Sequence, residues 1–137
     1  MIGLAFAAAL LQAANPCHAA DVAPDRTGCP VWRPVHRDER GAWFADPASL
    51  VRGGQGFDLR IRFLYAGADE GEGEIRSVVA GFRYDCAART VAIGQGHAYD
   101  AAGAQLDEEE PAEEHTAPAP VAPDTPEAAV LAAYCPR

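Results

Sequence analysis

Residues 55–66, Gln55-Gly56-Phe57-Asp58-Leu59-Arg60-Ile61-Arg62-Phe63-Leu64-Tyr65-Ala66, decide the fold class. Phe57, Leu59, Ile61, Phe63 and Tyr65 alternate with Asp58, Arg60 and Arg62. A period of two sends successive side chains to opposite faces of a sheet, so the apolar row is expected to meet a core and the charged row to meet water. Towards the C-terminus, the Gly- and Glu-rich stretch 67–73 reads as a loop. A second long strand follows from Ile75 to Cys86, with Val78, Ala80, Phe82 and Tyr84 alternating against Val79, Gly81 and Arg83. Ala87-Ala88 makes a tight connection to a strand over Arg89 to Tyr99, and Asp100-Ala101-Ala102-Gly103 has the Asp-first, Gly-fourth preference of a type I turn. A short strand from Ala104 to about Asp107 is expected to pair back.

On the N-terminal side, Val31 to Arg37 and Gly41 to Asp46 are short runs holding Trp32, Trp43 and Phe44, separated by Asp38-Glu39-Arg40, which predicts two strands joined by a turn. Asp46-Pro47-Ala48-Ser49-Leu50 reads as a turn or a single helical turn, because Pro47 presets φ and Asp46 can cap it. The sum is an antiparallel meander of about six strands, a common sheet size.

The composition changes after that sheet. Six of the eight residues in 107–114 are acidic, and five of the 11 prolines lie between Pro111 and Pro126. The chain carries 20 acidic residues, 11 Arg and no Lys, for a net charge of -9; without the acidic run 14 acidic residues face 11 basic ones, so the acidity is local. Residues 107–123 are therefore expected to form an extended, solvated linker. A helix over 125–134 follows, with Asp124 or Thr125 as its cap, Pro126 in the first position and Glu127 at the positive end. Isolated, so short a helix would be marginal. Val130, Leu131 and Tyr134 form one apolar stripe by which it can dock on the sheet. The fold class is thus α+β: an antiparallel sheet with one C-terminal helix packed on it.

The first 20 residues stand apart. Ile2 to Leu11 is apolar, and no Asp, Glu, Lys or Arg occurs before Asp21, which suits the core of a secretory signal and is too short for a membrane-spanning helix of about 20 residues. Small residues at Cys17 and Ala19 fit cleavage after Ala19, giving a 1–19 signal peptide, a flexible 20–30 leader and a domain over 31–135. The mature chain then has no transmembrane helix. Cleavage after Ala19 leaves Cys29, Cys86 and Cys135, an odd number in an oxidising compartment, with Cys29 as the unpaired thiol; a cut that retains Cys17 makes a Cys17 to Cys29 pair available.

The 137 residues hold one modest domain, and the acidic balance excludes the basic footprint that a nucleic acid requires. Neither Ser49 nor Ser77 lies in a Gly-x-Ser-x-Gly context, and Cys29 has no evident His partner, so no catalytic residue is assigned and an enzyme is not expected. His36, His97 and His115 lack metal-ligand spacing, and the acidic run lacks the Asp-x-Asp spacing and Gly turn of a calcium loop, so no metal or cofactor is assigned. On the charged sheet face, Arg60, Arg62 and Arg83 form a candidate ligand-facing patch able to grip carboxylates or sulfated glycans. The competing reading is a solubilising face with weak ion pairs to Asp58.

The order Trp43-Phe44-Ala45-Asp46-Pro47-Ala48-Ser49-Leu50, a long amphipathic strand, Tyr84-Asp85-Cys86, Tyr99-Asp100-Ala101-Ala102-Gly103 and a closing segment from Pro126 to Cys135 resembles the surface-adhesin protein E family of Gram-negative bacteria. The likeness spans roughly Val31 to Cys135. It implies a sheet whose C-terminal helix is fastened by a disulfide between Cys86 and Cys135. Closing that loop of about 50 residues removes unfolded-chain entropy worth roughly 4 kcal/mol. It also implies an exported protein of the periplasm or outer cell surface that binds a protein or glycan ligand, such as laminin, vitronectin or plasminogen. Plasminogen's lysine-binding modules recognise Lys, which this chain lacks. The alternative is a structural or interaction protein of the periplasmic envelope with no part in host adhesion.

Overall fold

The computed structural model describes residues 14–67, 74–106 and 115–136. The apolar core of the expected signal, the 67–73 loop apart from Gly67, and the acidic run at 107–114 lie outside the described residues. Six strands form one sheet in which every neighbour is also the neighbour in sequence: β1 (Arg33–Asp38), β2 (Gly41–Gly53), β3 (Gly56–Tyr65), β4 (Ser77–Asp85), β5 (Thr90–Tyr99) and β6 (Ala119–Pro120). All pairings are antiparallel. The helix α1 (Pro126–Tyr134) closes the chain.

The alternation in β3 builds the core. Phe57, Leu59 and Ile61 are buried together with Ala80, Phe82 and Tyr84 of β4, Ala45 of β2 and Val91 of β5, and Val130 and Leu131 of α1 complete the same cluster. Phe57 stacks on Tyr84 at 5.1 Å between ring centroids, and Trp43 meets Phe82 edge-on at 5.6 Å. Burial, with Glu127 nearby, pushes the Tyr84 phenol far above its ordinary pKa, so it stays protonated.

The helix begins where its sequence signals place it. Thr125 is the cap, its Oγ1 accepting from the Ala128 N–H at 3.2 Å, and Pro126 opens the first turn. At the other end the Cys135 N–H donates to the Leu131 carbonyl at 2.9 Å, and Cys135 is bonded to Cys86 with 5.7 Å between their Cα atoms. Cys86 is itself held by its N–H to the Gln55 carbonyl at 2.9 Å. The bridge therefore ties the helix end to the β2–β3 and β4–β5 turns together. The predicted 100–103 turn is present, with the Gly103 N–H on the Asp100 carbonyl at 3.1 Å and Gly103 at φ +91.

Several expectations are corrected. Asp46-Pro47-Ala48-Ser49-Leu50 is no turn or helical turn: β2 runs through it as a bulge, the register with β3 shifting between Asp46 and Val51. The Asp46 carboxylate takes the Ala48 N–H at 3.1 Å, and the Ser49 hydroxyl donates to the Asp46 carbonyl at 2.7 Å while accepting the Arg60 N–H at 2.8 Å. Side chains thus stand in for ladder bonds where Pro47 has no N–H to give. Of the strand expected over Ala104 to about Asp107, the described residues hold an antiparallel bridge between Gln105 and Tyr99 and the Leu106 N–H on the Ala98 carbonyl at 2.8 Å, and the sixth strand is Ala119–Pro120 on the edge of β5. The 115–123 half of the expected linker is accordingly laid on the sheet: Thr116 exchanges bonds with Ile93, its N–H donating at 2.8 Å and its hydroxyl accepting at 2.9 Å, and the Val121 N–H reaches the Arg89 carbonyl at 2.9 Å.

The N-terminal side holds the largest correction. Cys29 is not a free thiol: it is bonded to Cys17, 5.3 Å away between Cα atoms. Pro16–His18 form a 3-10 turn capped by Asn15, the Asn15 N–H donates to the Gly103 carbonyl at 3.1 Å, and the Ala20 N–H to the Ala101 carbonyl at 3.0 Å. The 20–30 stretch, expected to be a flexible leader, has no strand but is tied at Cys29 and through the Trp32 N–H to the Pro24 carbonyl at 3.3 Å. Residues 14–32 form a clasp over part of the sheet face that the sequence marked as wet.

Candidate functional site

The face of the sheet opposite α1 divides in two. Register places Phe44, Arg62, Val79 and Tyr99 towards one end and Asp58, Arg60, Gly81 and Arg83 towards the other. At the first end Trp32 lies over Val79 and Tyr99 with Phe44 beside them, making a second small core. The His18 ring stacks on Tyr99 at 4.0 Å. The other end is open.

The three arginines singled out in the sequence share this face, but they do different work. Arg62 is 3% exposed and its guanidinium donates to the Ala19 carbonyl at 2.8 Å, so it fastens the clasp and is withdrawn from any surface patch. Its position corrects the reading of a uniformly wet face. Burial lowers its pKa, yet an arginine so far above neutrality keeps its charge. Arg60 and Arg83 are exposed. Arg83 stands 3.9 Å from Asp58, and His115 reaches the other oxygen of the same carboxylate at 4.0 Å. With the Arg83 and Asp58 side chains 62% and 44% exposed, this ion pair is loose and water-screened. It leaves Arg83 able to exchange partners.

Two hollows adjoin on this face and share Arg60 and Gly81. One, about 270 Å³, lies among Ser49, Asp58, Arg83 and His115. The other, about 250 Å³, lies between the clasp and the strands, with His18, Trp32, His97 and Tyr99 among its walls. On β5 a Cβ at Gly94 would press on the Gly81 carbonyl at 3.0 Å and meet the His115 ring at 3.5 Å, whereas one at Gly96 would meet Val78 and Ala80 on the core side. The Trp32 Nε1 and His18 Nδ1 are buried without a hydrogen-bond partner among the described residues. His18 is held below its ordinary pKa first by burial, then by Arg62, Arg60 and His97. The ring is thus neutral in a cationic neighbourhood.

His18 and the clasp were missed by sequence reasoning, which assigned Cys17 and His18 to a removable signal. The signal that could have found them is cysteine parity: retaining Cys17 makes four thiols and two bridges. Among the described residues no three His, Cys, Asp or Glu side chains gather to hold a metal ion, and no helix is long and apolar enough to cross a membrane.

Residues 32–136 match the family model described as surface-adhesin protein E. A search among proteins of curated function gave no match.

Proposed function

The chain belongs to the surface-adhesin protein E family, and from that premise we propose that it is an exported, non-enzymatic binding protein that holds a protein ligand at the cell surface. The family match carries the reading. Two disulfides accord with it, because such bonds persist in oxidising compartments outside the cytosol. The proposed contact surface is the open end of the sheet face around Arg60 and Arg83, where guanidinium groups can pair with carboxylates or sulfated glycans of laminin or vitronectin.

Export of a chain with this clasp implies processing on the N-terminal side of Asn15. A cut after Ala19 would remove Cys17 and His18 and leave the buried Arg62 without the Ala19 carbonyl in its present place. Intact mass of the exported protein under non-reducing conditions tests this: two bridges and no alkylatable thiol are expected, and a mature chain beginning at Ala20 would refute it.

Purified full-length protein should bind immobilised laminin or vitronectin saturably at physiological salt, and Arg83→Gln should weaken that binding. No saturable binding to either would overturn the matrix-ligand reading. Antibody labelling of intact cells is the companion experiment. Labelling only after the outer membrane is permeabilised would move the protein to the periplasm and favour an envelope-internal partner instead.

A further inference from the structure

The apolar row of β3 runs past the helix that covers it. The nine residues of α1 span about 14 Å at 1.5 Å per residue, whereas the ten residues of β3 span about 33 Å. Phe57, Leu59 and Ile61 lie in the covered core, but Phe63 and Tyr65 on the same face are half-buried, as is Trp43 opposite Phe63 on β2. Their rings adjoin in one row, Trp43 and Phe63 at 5.9 Å between centroids and Phe63 and Tyr65 edge-on at 4.5 Å. Trp43 and Phe63 line a hollow of about 350 Å³ together with Asp38 and Arg40 of the β1–β2 turn and Thr125, Pro126 and Glu127 at the start of α1. That volume lies near the lower end of the roughly 300–1,000 Å³ usual for small-molecule sites, which suits a single ring.

The polar groups around these rings carry both signs. The Asp38 oxygens are engaged, one accepting the Arg40 N–H at 2.8 Å and the other 3.0 Å from the His36 Nε2. The Thr125 hydroxyl is used twice, accepting from the Ala128 N–H and donating to the Ala122 carbonyl at 2.7 Å. The Arg40 guanidinium and the Glu127 carboxylate remain, and no ion pair or hydrogen bond holds either group among the described residues. An anion bound there would meet Glu127 and a cation would meet Arg40, while a wholly apolar occupant would strip water from both charges and replace none of it. A neutral ring with an apolar face and hydroxyls at its edge avoids all three costs. We infer that this hollow binds one hexopyranose unit, a neutral sugar ring laid on Trp43 and Phe63. The C–H face of the sugar takes apolar aromatic surface out of water, and its hydroxyls donate to the Glu127 carboxylate and accept from the Arg40 guanidinium. The site lies on the α1 face, across the sheet from Arg60 and Arg83, and does not depend on the protein-ligand reading.

The test is a titration of the full chain, 15N-labelled, with methyl β-D-galactopyranoside, methyl β-D-glucopyranoside, glycerol and tetramethylammonium, read at the two indole N–H resonances. Trp32 is the internal reference, because it is 2% exposed and packs with Val79 and Tyr99 on the other face. At least one glycoside should shift the Trp43 resonance saturably, with half-saturation below about 10 mM, and leave Trp32 in place. Glycerol has hydroxyls but no ring face and should give no saturable shift. Glu127→Ala, which puts a good helix former in the first turn, and Arg40→Ala, at an exposed position, should each weaken binding about fivefold or more with the Trp32 resonance unmoved. Arg83→Gln should leave sugar binding unchanged while still weakening matrix-protein binding, so the two readings fail separately. Absence of a saturable Trp43 shift with both glycosides, tighter binding of tetramethylammonium, or undiminished binding by either alanine variant would each overturn the proposal.

Discussion

Replacing Cys86 by Ser opens a loop of 49 residues in the unfolded chain and frees the end of α1 in the folded one. In the chain-entropy model the lost constraint is worth about 4 kcal/mol at 25 °C. For roughly 110 ordered residues the unfolding entropy is about 230 cal/mol/K at the midpoint, so the variant should melt about 17 °C lower. Cys135→Ser should do the same, because each leaves the other half of one bond, and the double variant should be no worse than either single. The second bridge closes only 12 residues of sequence, and the same relation gives about 3 kcal/mol for it. The two bridges lie on opposite faces of the sheet and share no partner, so their losses should add to about 7 kcal/mol. That is comparable to the whole stability of a small domain, and a chain without either bridge should be largely unfolded at 37 °C. Thermal unfolding followed by circular dichroism, with free thiols blocked, measures all five variants. Unequal Cys86 and Cys135 singles, or a double much worse than its parents, would show that a third cysteine exchanges into the bond and would refute the pairing of two independent bridges.

Other outcomes follow from the clasp and the hairpins. Because His18 is held below its ordinary pKa of about 6.5, the unfolded chain takes up a proton below that pH that the folded chain refuses. Its contribution is intact above pH 6.5 and declines as pH falls through the window down to the depressed folded value, so the wild type should lose more Tm between pH 7 and 5 than His18→Gln; parallel curves would refute this. Arg62→Ala leaves the Ala19 carbonyl without its donor and a void under the clasp, for a loss of about 1–3 kcal/mol, seen as faster amide exchange in residues 14–32 before the rest of the sheet. Gly56→Ala would drive a Cβ into the Tyr84 carbonyl across the β3–β4 pair and should cost about 3 kcal/mol or more, whereas Gly53→Ala, which meets nothing, should cost little.

The long strands were legible because alternation over 57–65 reports directly which side chains avoid water. What alternation does not report is what else lies over the second face. Asp58, Arg60 and Arg62 look alike in a period-two pattern, yet Arg62 alone sits under the clasp, made tolerable by its long apolar stem and one carbonyl acceptor. The clasp was hidden because Ala-rich, charge-free sequence reads as a leader to be removed, and its hold on the sheet comes from backbone groups of Asn15, Ala19 and Ala20, which leave no mark in residue type. Asp46 to Leu50 reads as a turn or a single helical turn because Pro47 presets φ and Asp46 can cap it. The structure spends no ladder bond there, since Ser49 and Asp46 supply replacements eleven residues from Arg60 and beside the bulge. The 115–123 segment is extended and mostly exposed; its Pro-rich composition signals a lack of self-sufficient structure, and the β5 edge supplies the pairing partner from outside.

The two bridges also set how the molecule answers a pulling force. A load applied at Cys17 and Cys135 does not run along the whole chain between them, which is 118 residues long; it crosses from Cys17 to Cys29, follows 57 residues to Cys86, and crosses again to Cys135. At about 3.4 Å per residue the reachable extension is on the order of 190 Å instead of 400 Å. Strand β5, β6 and helix α1 are wholly outside the stressed path, as is the turn of the clasp between the first two cysteines. Under tension β1 to β4 can be drawn out while the remainder travels as an unloaded appendage, so a tether built from this chain is short and stiffens early.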